Sequence, residues 1–316
     1  MKKMLIGTLL VAGALSGLVQ AGAGGGGKSG NGSSNPSPKS EGQKRQQAPN
    51  PPSTKLKGSV PNDTYNNGLT PLRAADWKDP GPLYPGGGFF RWVAAGDFKM
   101  GSPEGETGRS PDEALKDVKI RNPFWICDHE VTVEEFEKVR GYNPFYRNEI
   151  NQAPVVGLIW EEAVDYCKTL TEKYQALKVI LPSQEFRLAT SEEWEFAARA
   201  RGAETGPWYG GGDLGDYAWF AGNGRTIRPV KTRKPNGLNL YDMLGNAAEY
   251  TQEGGPSIPG GASEPVVRGG SAYDSKNLCR LASKSKVYIK NHTFGISDAQ
   301  RIELAHVGFR VVLAYK

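Results

Sequence analysis

Cysteine and histidine are scarce in this chain of 316 residues, with three of each: Cys127, Cys167 and Cys279, and His129, His292 and His306. No C-x-x-C pair and no two histidines at helical spacing occur, which excludes the common zinc frameworks. An odd number of cysteines allows at most one intramolecular disulfide, and whether Cys127 and Cys279 form it stays open at this level. Long apolar runs are also lacking. The one candidate, Leu5 to Val19, is 15 residues long, short of the roughly 20 needed to cross a bilayer. Preceded by Met1-Lys2-Lys3-Met4 and followed by Val19-Gln20-Ala21, it has the basic start, apolar centre and small-residue end of a secretory signal peptide over residues 1–21, with an uncleaved anchor as the other reading. No cysteine stands near the cleavage point to carry a lipid. Localisation outside the cytoplasm, whether periplasmic, cell-surface or secreted, is therefore expected.

Residues 22–75 hold few large apolar side chains and are rich in Gly, Ser, Pro, Asn, Gln and Lys. Such a segment cannot bury enough surface to offset its ordering entropy, so a disordered linker is expected. The first 75 residues hold 9 Lys/Arg against 2 acids, leaving 30 basic and 32 acidic residues beyond them out of totals of 39 and 34. A folded part that is slightly acidic removes the main electrostatic argument for nucleic-acid binding.

Residues 76–316 contain the patterns of a folded domain. Thr132 followed by Glu135 is a capping box ahead of Phe136 and Val139. Trp160, Ala163, Val164, Cys167, Leu170 and Tyr174 recur at helical spacing, and Cys167 reads as a small buried hydrophobe there. A third helix is predicted from Thr190, with Glu193 three residues on and Trp194, Ala197 and Ala198 on one face. Val307, Phe309, Val311 and Leu313 alternate as in a half-buried terminal strand. Gly and Pro punctuate the rest, so the expected class is α+β with short strands, a few helices and much irregular loop. Long loops need something to fix them, and bound calcium is one physical solution.

Several blocks occur in order: Gly96-Asp97-Phe98-Lys99-Met100-Gly101-Ser102; Glu130-Val131-Thr132; Pro154 to Ala163; Arg187-Leu188-Ala189-Thr190-Ser191-Glu192-Glu193-Trp194-Glu195-Phe196-Ala197-Ala198-Arg199; Pro235-Asn236-Gly237-Leu238; Leu240 to Tyr250; Arg268-Gly269-Gly270-Ser271; and Gly308-Phe309-Arg310. Together they closely resemble the formylglycine-generating enzyme, or sulfatase-modifying factor, family over about Phe89 to Tyr315. The resemblance implies a variant of the C-type-lectin-like fold. Arg187, Glu195, Arg199 and Arg310 read as members of buried or half-buried ion pairs within the scaffold. It also implies a calcium site in which Asp242, Gly245, Ala247 and Glu249 supply oxygen donors, all hard ligands as calcium requires. The alternative is that Asp242 and Glu249 only cap or pair within a tight turn. A second calcium site of the family falls near Tyr217-Ala218-Trp219, where Ala218 stands in place of an Asn and Asn223 is nearby.

Active members resemble copper(I) oxidases in which two thiolates, three and eight residues after the Ser of the Arg-Gly-Gly-Ser block, bind the metal. Here those positions are Asp274 and Cys279. A carboxylate is a hard donor that suits copper(I) poorly, so the two-thiolate site cannot form and copper is not expected. Ala248 and Tyr250 stand where active members have Trp, and Ala189 replaces a Pro. The reading that follows is an exported domain, not an active formylglycine-generating oxidase, which binds a protein or small ligand, such as an exported sulfatase or a surface assembly. Arg268, Ser271, Tyr273 and Asp274 are its expected cleft residues, with the Val287 to His306 insertion beside them. The alternative is an enzyme, either a formylglycine-generating oxidase or one making another modification in the same cleft. Ser271, Asp274 and Cys279 are then the catalytic candidates.

Overall fold

The computed structural model describes residues 88–145, 147–255, 264–288 and 296–316. The expected signal peptide, the linker, residues 76–87 and part of the 287–306 insertion lie outside them. Ten strands and four helices follow in order: β1 (Phe90–Val93), β2 (Gly96–Met100), β3 (Lys116–Ile120), β4 (Phe124–Cys127), α1 (Val133–Arg140), α2 (Trp160–Ala176), β5 (Gln184–Leu188), α3 (Ser191–Ala198), β6 (Ala248–Tyr250), β7 (Val266–Arg268), β8 (Lys284–Lys286), α4 (Asp298–Glu303), β9 (Val307–Phe309) and β10 (Val311–Tyr315). Strands are three to five residues long and most of the 199–247 stretch is turn and loop, which is the expected α+β class.

Local chemistry accounts for the helix ends. Thr132 Oγ1 accepts from Glu135 N at 3.2 Å while Glu135 accepts from Thr132 N at 2.8 Å, and Gly141 ends α1 at φ 80°. Thr190 and Glu193 make the same reciprocal pair at the start of α3. In α2 the buried stripe is Ala163, Tyr166, Cys167, Leu170, Thr171 and Tyr174, with Trp160 and Val164 at its margin. Thr171 Oγ1 accepts from Phe186 N at 2.8 Å, fixing the helix to β5.

One four-stranded sheet has the order β1-β4-β10-β5, all antiparallel. Both of its faces are covered. Alternation sends Trp125 and Cys127 of β4, with Val311 and Leu313 of β10, into one core cluster, and Phe124, Ile126, Val312 and Ala314 into the other. A second sheet, β8-β7-β6-β9, joins β9 to β6 in parallel. The terminal stretch expected as one half-buried strand is therefore two strands in two sheets, buried on both sides. Arg310 is the junction, and its side chain turns into the interior. All three cysteines are buried and unpaired. Among the described residues no helix is long and apolar enough to cross a membrane.

Candidate functional site

Short β6 carries Glu249 into the middle of the domain. Its carboxylate accepts from Arg310 Nε at 2.7 and 2.9 Å, from Arg310 Nη2 at 2.6 Å and from Trp194 Nε1 of α3 at 2.7 Å. Arg310 also donates to Cys127 O and Tyr241 O, so one guanidinium ties both sheets to the loop before β6. Burial alone would lower its pKa, but the Glu249 charge and hydrogen bonds hold it above the usual arginine value. Two more buried carboxylates flank this pair. Glu130 accepts from Ala247 N at 3.0 Å and Asn246 Nδ2 at 3.3 Å, and burial, then the Asp242 and Glu249 charges, hold it well above the carboxylate range. Asp242, at φ 54°, accepts from Lys231 N at 2.7 Å through Oδ2, while its buried Oδ1 has no hydrogen-bond partner. Burial is the main cause that raises Asp242 to about 6.

The turn carries Asp242, Gly245, Ala247 and Glu249, and the Asp242, Glu249 and Glu130 carboxyls lie close enough to act on one another and on Arg310. The orphaned Asp242 oxygen is a hard donor of the kind a divalent cation takes. Glu249 is engaged by Arg310 and Trp194, leaving Asp242 as the side chain with an unused oxygen. At the second family calcium position, Asn223 closes a loop instead: it donates to Ala218 O and accepts from Phe220 N, both at 2.8 Å.

Asn246 organises the surface above this turn. Its backbone N donates to Trp219 O and its O accepts from Ala272 N, both at 2.8 Å. The side chain accepts from Arg228 N at 3.0 Å and donates to Arg228 O and to Glu130. Three loops that are distant in sequence, around 219, 228 and 272, are pinned to one fully buried residue, the first and last through its backbone and the second through its side chain. Ala221 N also donates to Asp274 O at 2.8 Å, closing the Trp219 loop on the Ser271 turn.

Within that turn Asp274 Oδ2 accepts from Ser271 N at 2.8 Å and Ser271 Oγ at 2.7 Å. Ser271 is buried and Tyr273 is 47% exposed. Cys279 does not face outward beside Asp274. It is fully buried beneath the Arg-Gly-Gly-Ser turn, its thiol reaching Ser271 O at 3.6 Å, and burial followed by the Asp274 charge pushes it up to about 12. A Cβ at Gly270 would lie 3.0 Å from its sulfur, so glycine at φ 68° is what lets the thiol tuck under the turn. Arg268 is a correction to the expected cleft set. It is 1% exposed and donates to Glu195, Leu281 O and Ala282 O, with its guanidinium 5.1 Å from the Trp194 ring centre. Glu195 bonds Arg199 as well, and Arg187 makes a two-point pair with Glu193, so the expected ion pairs are scaffold. Ala248 and Tyr250 are buried and form no outer aromatic wall.

Cys127, Asp128 and His129 were not singled out by spacing, yet their ligand atoms lie within 4.8 Å of one another. The only sequence signal is Cys-x-His at the end of β4. A metal does not fit, because Asp128 is already saturated: Arg91 at 3.1 Å, Lys231 at 3.1 and 3.2 Å, and His129 Nδ1 at 2.7 Å. Burial would raise Asp128, but the His129 and Lys231 contacts bring it to about 2. Burial would lower His129, but Cys127, Asp128 and Glu135 hold it well above 6.5. The cluster is a buried ion network fixing α1 to β4.

Short strands, capped helices and long loops knotted around the 242–249 turn define a scaffold of the formylglycine-generating type. Residues 90–315 match the model of the sulfatase-modifying factor enzyme 1-like domain, and the chain belongs to that family. Chaperone protein LppX of Paenibacillus barcinonensis is 24% identical over 231 residues, 58% of this chain and 81% of the relative. Inactive C-alpha-formylglycine-generating enzyme 2 of Mus musculus is 31% identical over 138 residues, 39% of each chain. Formylglycine-generating enzyme of Streptomyces coelicolor is 26% identical over 56% of this chain and 60% of its own. Among solved structures, Treponema denticola variable protein 1 superposes with a TM-score of 0.58 at 22% identity, covering 73% of this chain and 97% of that one. PvdO from Pseudomonas aeruginosa gives 0.57 at 22% identity over 73% and 98%. These likenesses show the fold, and the family holds both enzymes and members named inactive.

Proposed function

We propose that this chain is an exported, non-oxidase member of the family that works by holding a partner on the face formed by the Ser271 turn and the loops tied to Asn246. The observation that carries this reading is the state of the two positions where the oxidase chemistry would reside. Cys279 is buried with its thiol on a backbone carbonyl, and Asp274 spends its carboxylate on Ser271. Two thiolates are what a soft copper(I) ion requires, and this pair offers one sequestered thiol and one hard, occupied carboxylate. What remains is a rigid scaffold presenting loops, the usual arrangement for recognition. The relatives named inactive and chaperone are consistent with that role.

In the same reading a calcium ion sits at the Asp242 turn, taking the unpartnered Asp242 oxygen and holding the loops that carry the face. It is structural and takes part in no reaction. Incubating the full chain with copper(I), oxygen and a Cys-x-Pro-x-Arg peptide tests the non-oxidase reading: the peptide mass stays unchanged, and conversion of its cysteine to the aldehyde would overturn it.

A further inference from the structure

Between Asp216 and Asp242 the chain has no acidic residue, but it has Arg225, Arg228, Lys231, Arg233 and Lys234. Two of these cations are used internally, Lys231 by Asp128 and Lys234 by Asp216. The guanidinium groups of Arg225, Arg228 and Arg233 have no ion pair among the described residues. Arg233 lies with its guanidinium carbon 3.7 Å from the Trp219 ring centre and Arg228 with its own at 5.2 Å, so one indole carries both. Trp219 is fixed in turn by its Nε1 donating to Thr232 Oγ1 at 2.7 Å. Guanidinium groups laid on an indole have lost rotamer freedom; Arg228 is exposed and Arg233, whose Nε is buried, is half-buried, an arrangement suited to planar oxyanions.

This cationic loop is not isolated. Asn246 ties Trp219 and Arg228 to Ala272, and the Ala221 to Asp274 bond brings the loop against the Ser271 turn. Next along that turn are Tyr273 and Leu278, large side chains 47% and 46% exposed. Arginine, tryptophan and tyrosine grouped in this way are the residue types that dominate protein interfaces. A face built for a polyanion alone has no use for the apolar half.

We propose that the surface formed by Arg225, Arg228, Arg233, Trp219, Tyr273 and Leu278 docks an acidic peptide segment of a protein partner, one in which Asp or Glu side chains alternate with an aromatic or branched apolar side chain. The carboxylates take the three guanidinium edges and the apolar side chain packs between Tyr273 and Leu278. This rests on the partner-binding reading above and names the chemistry of its ligand.

The test is selection of a displayed random-peptide library on the full chain, followed by titration of the selected synthetic peptide against three proteins. These are the unaltered chain, Arg225→Glu/Arg228→Glu/Arg233→Glu, and a tail control, Lys39→Gln/Lys44→Gln/Arg45→Gln. Selected sequences are expected to be enriched in Asp or Glu beside Tyr, Phe or Leu. Affinity is expected to fall roughly tenfold or more in the loop variant and to hold in the tail control. Arg225→Glu alone, at an exposed position, gives a smaller loss in the same direction should the triple variant not fold. The proposal is overturned by selected peptides without acidic enrichment, or by equal affinity in the unaltered and loop-variant chains. Binding that follows the tail cations overturns it, as does a heparin fragment or oligodeoxynucleotide that binds more tightly than the peptide with the same loop dependence. An aldehyde product in the copper assay would sink the underlying reading instead, so the two failures are distinguishable.

Discussion

Replacing Asn246 by Ala is expected to cost more than any single surface change, because its buried side chain ties the turn to both Glu130 and the Arg228 loop. The substitution removes a hydrogen bond to the buried Glu130 and two to the Arg228 backbone, at 3.3, 3.0 and 3.3 Å. With about 1 kcal/mol for each of these three bonds, the loss is about 3 kcal/mol. Asn246 also sits at φ 55°, a left-handed conformation that asparagine tolerates and alanine resists, worth about 1 kcal/mol more. For a domain of this size that corresponds to a melting temperature lower by roughly 8–16 °C. Thermal unfolding of a short series separates the causes. Asn246→Gly keeps the φ but loses the bonds, so it falls between the parent and Asn246→Ala. Asn246→Asp keeps the shape but buries a carboxylate with an oxygen against Arg228 O, so it is worse than Asn246→Ala. Melting within a few degrees of the parent for Asn246→Ala, or a milder effect for Asn246→Asp, would refute the account of this hub.

Two further outcomes follow from the interior charges. Chelation should lower the melting temperature, since an ion bound to the native state alone stabilises it by mass action; no shift, with no metal found by elemental analysis, removes the calcium. Asp128 is depressed from 3.8 to about 2, so its contribution is present above pH 3.8 and is lost as pH falls through about 2. His129 is raised, so its contribution is complete below pH 6.5 and declines only as pH rises through its higher value. Denaturant melts across pH should show that acid limb, and Asp128→Asn should flatten it. An unchanged limb in the variant would assign acid sensitivity elsewhere.

What the sequence made legible was local or depended on ordered blocks. Thr132 with Glu135, and Thr190 with Glu193, are three residues apart, so their capping boxes could be read before any fold was known. The Asp242 to Glu249 turn was legible for the same reason. Asn246 was not, because its partners Glu130, Trp219, Arg228 and Ala272 come from four separate segments. Nor did alternation reveal that Arg310 divides the last stretch between two sheets, since both halves keep the same period while burying both faces. Arg268 was misplaced because a charged residue beside a glycine pair resembles a loop anchor, whereas Glu195, far away in sequence, draws it into the core. The thiol of Cys279 was ambiguous until the conformation of Gly270 placed it beneath the turn.

The central claim is that oxidase chemistry is absent while the scaffold is kept. Mass spectrometry of a Cys-x-Pro-x-Arg peptide after incubation with the folded chain, copper(I) and oxygen tests it most directly. The account predicts a cysteine of unchanged mass at every copper concentration tried, and aldehyde formed with turnover would contradict it.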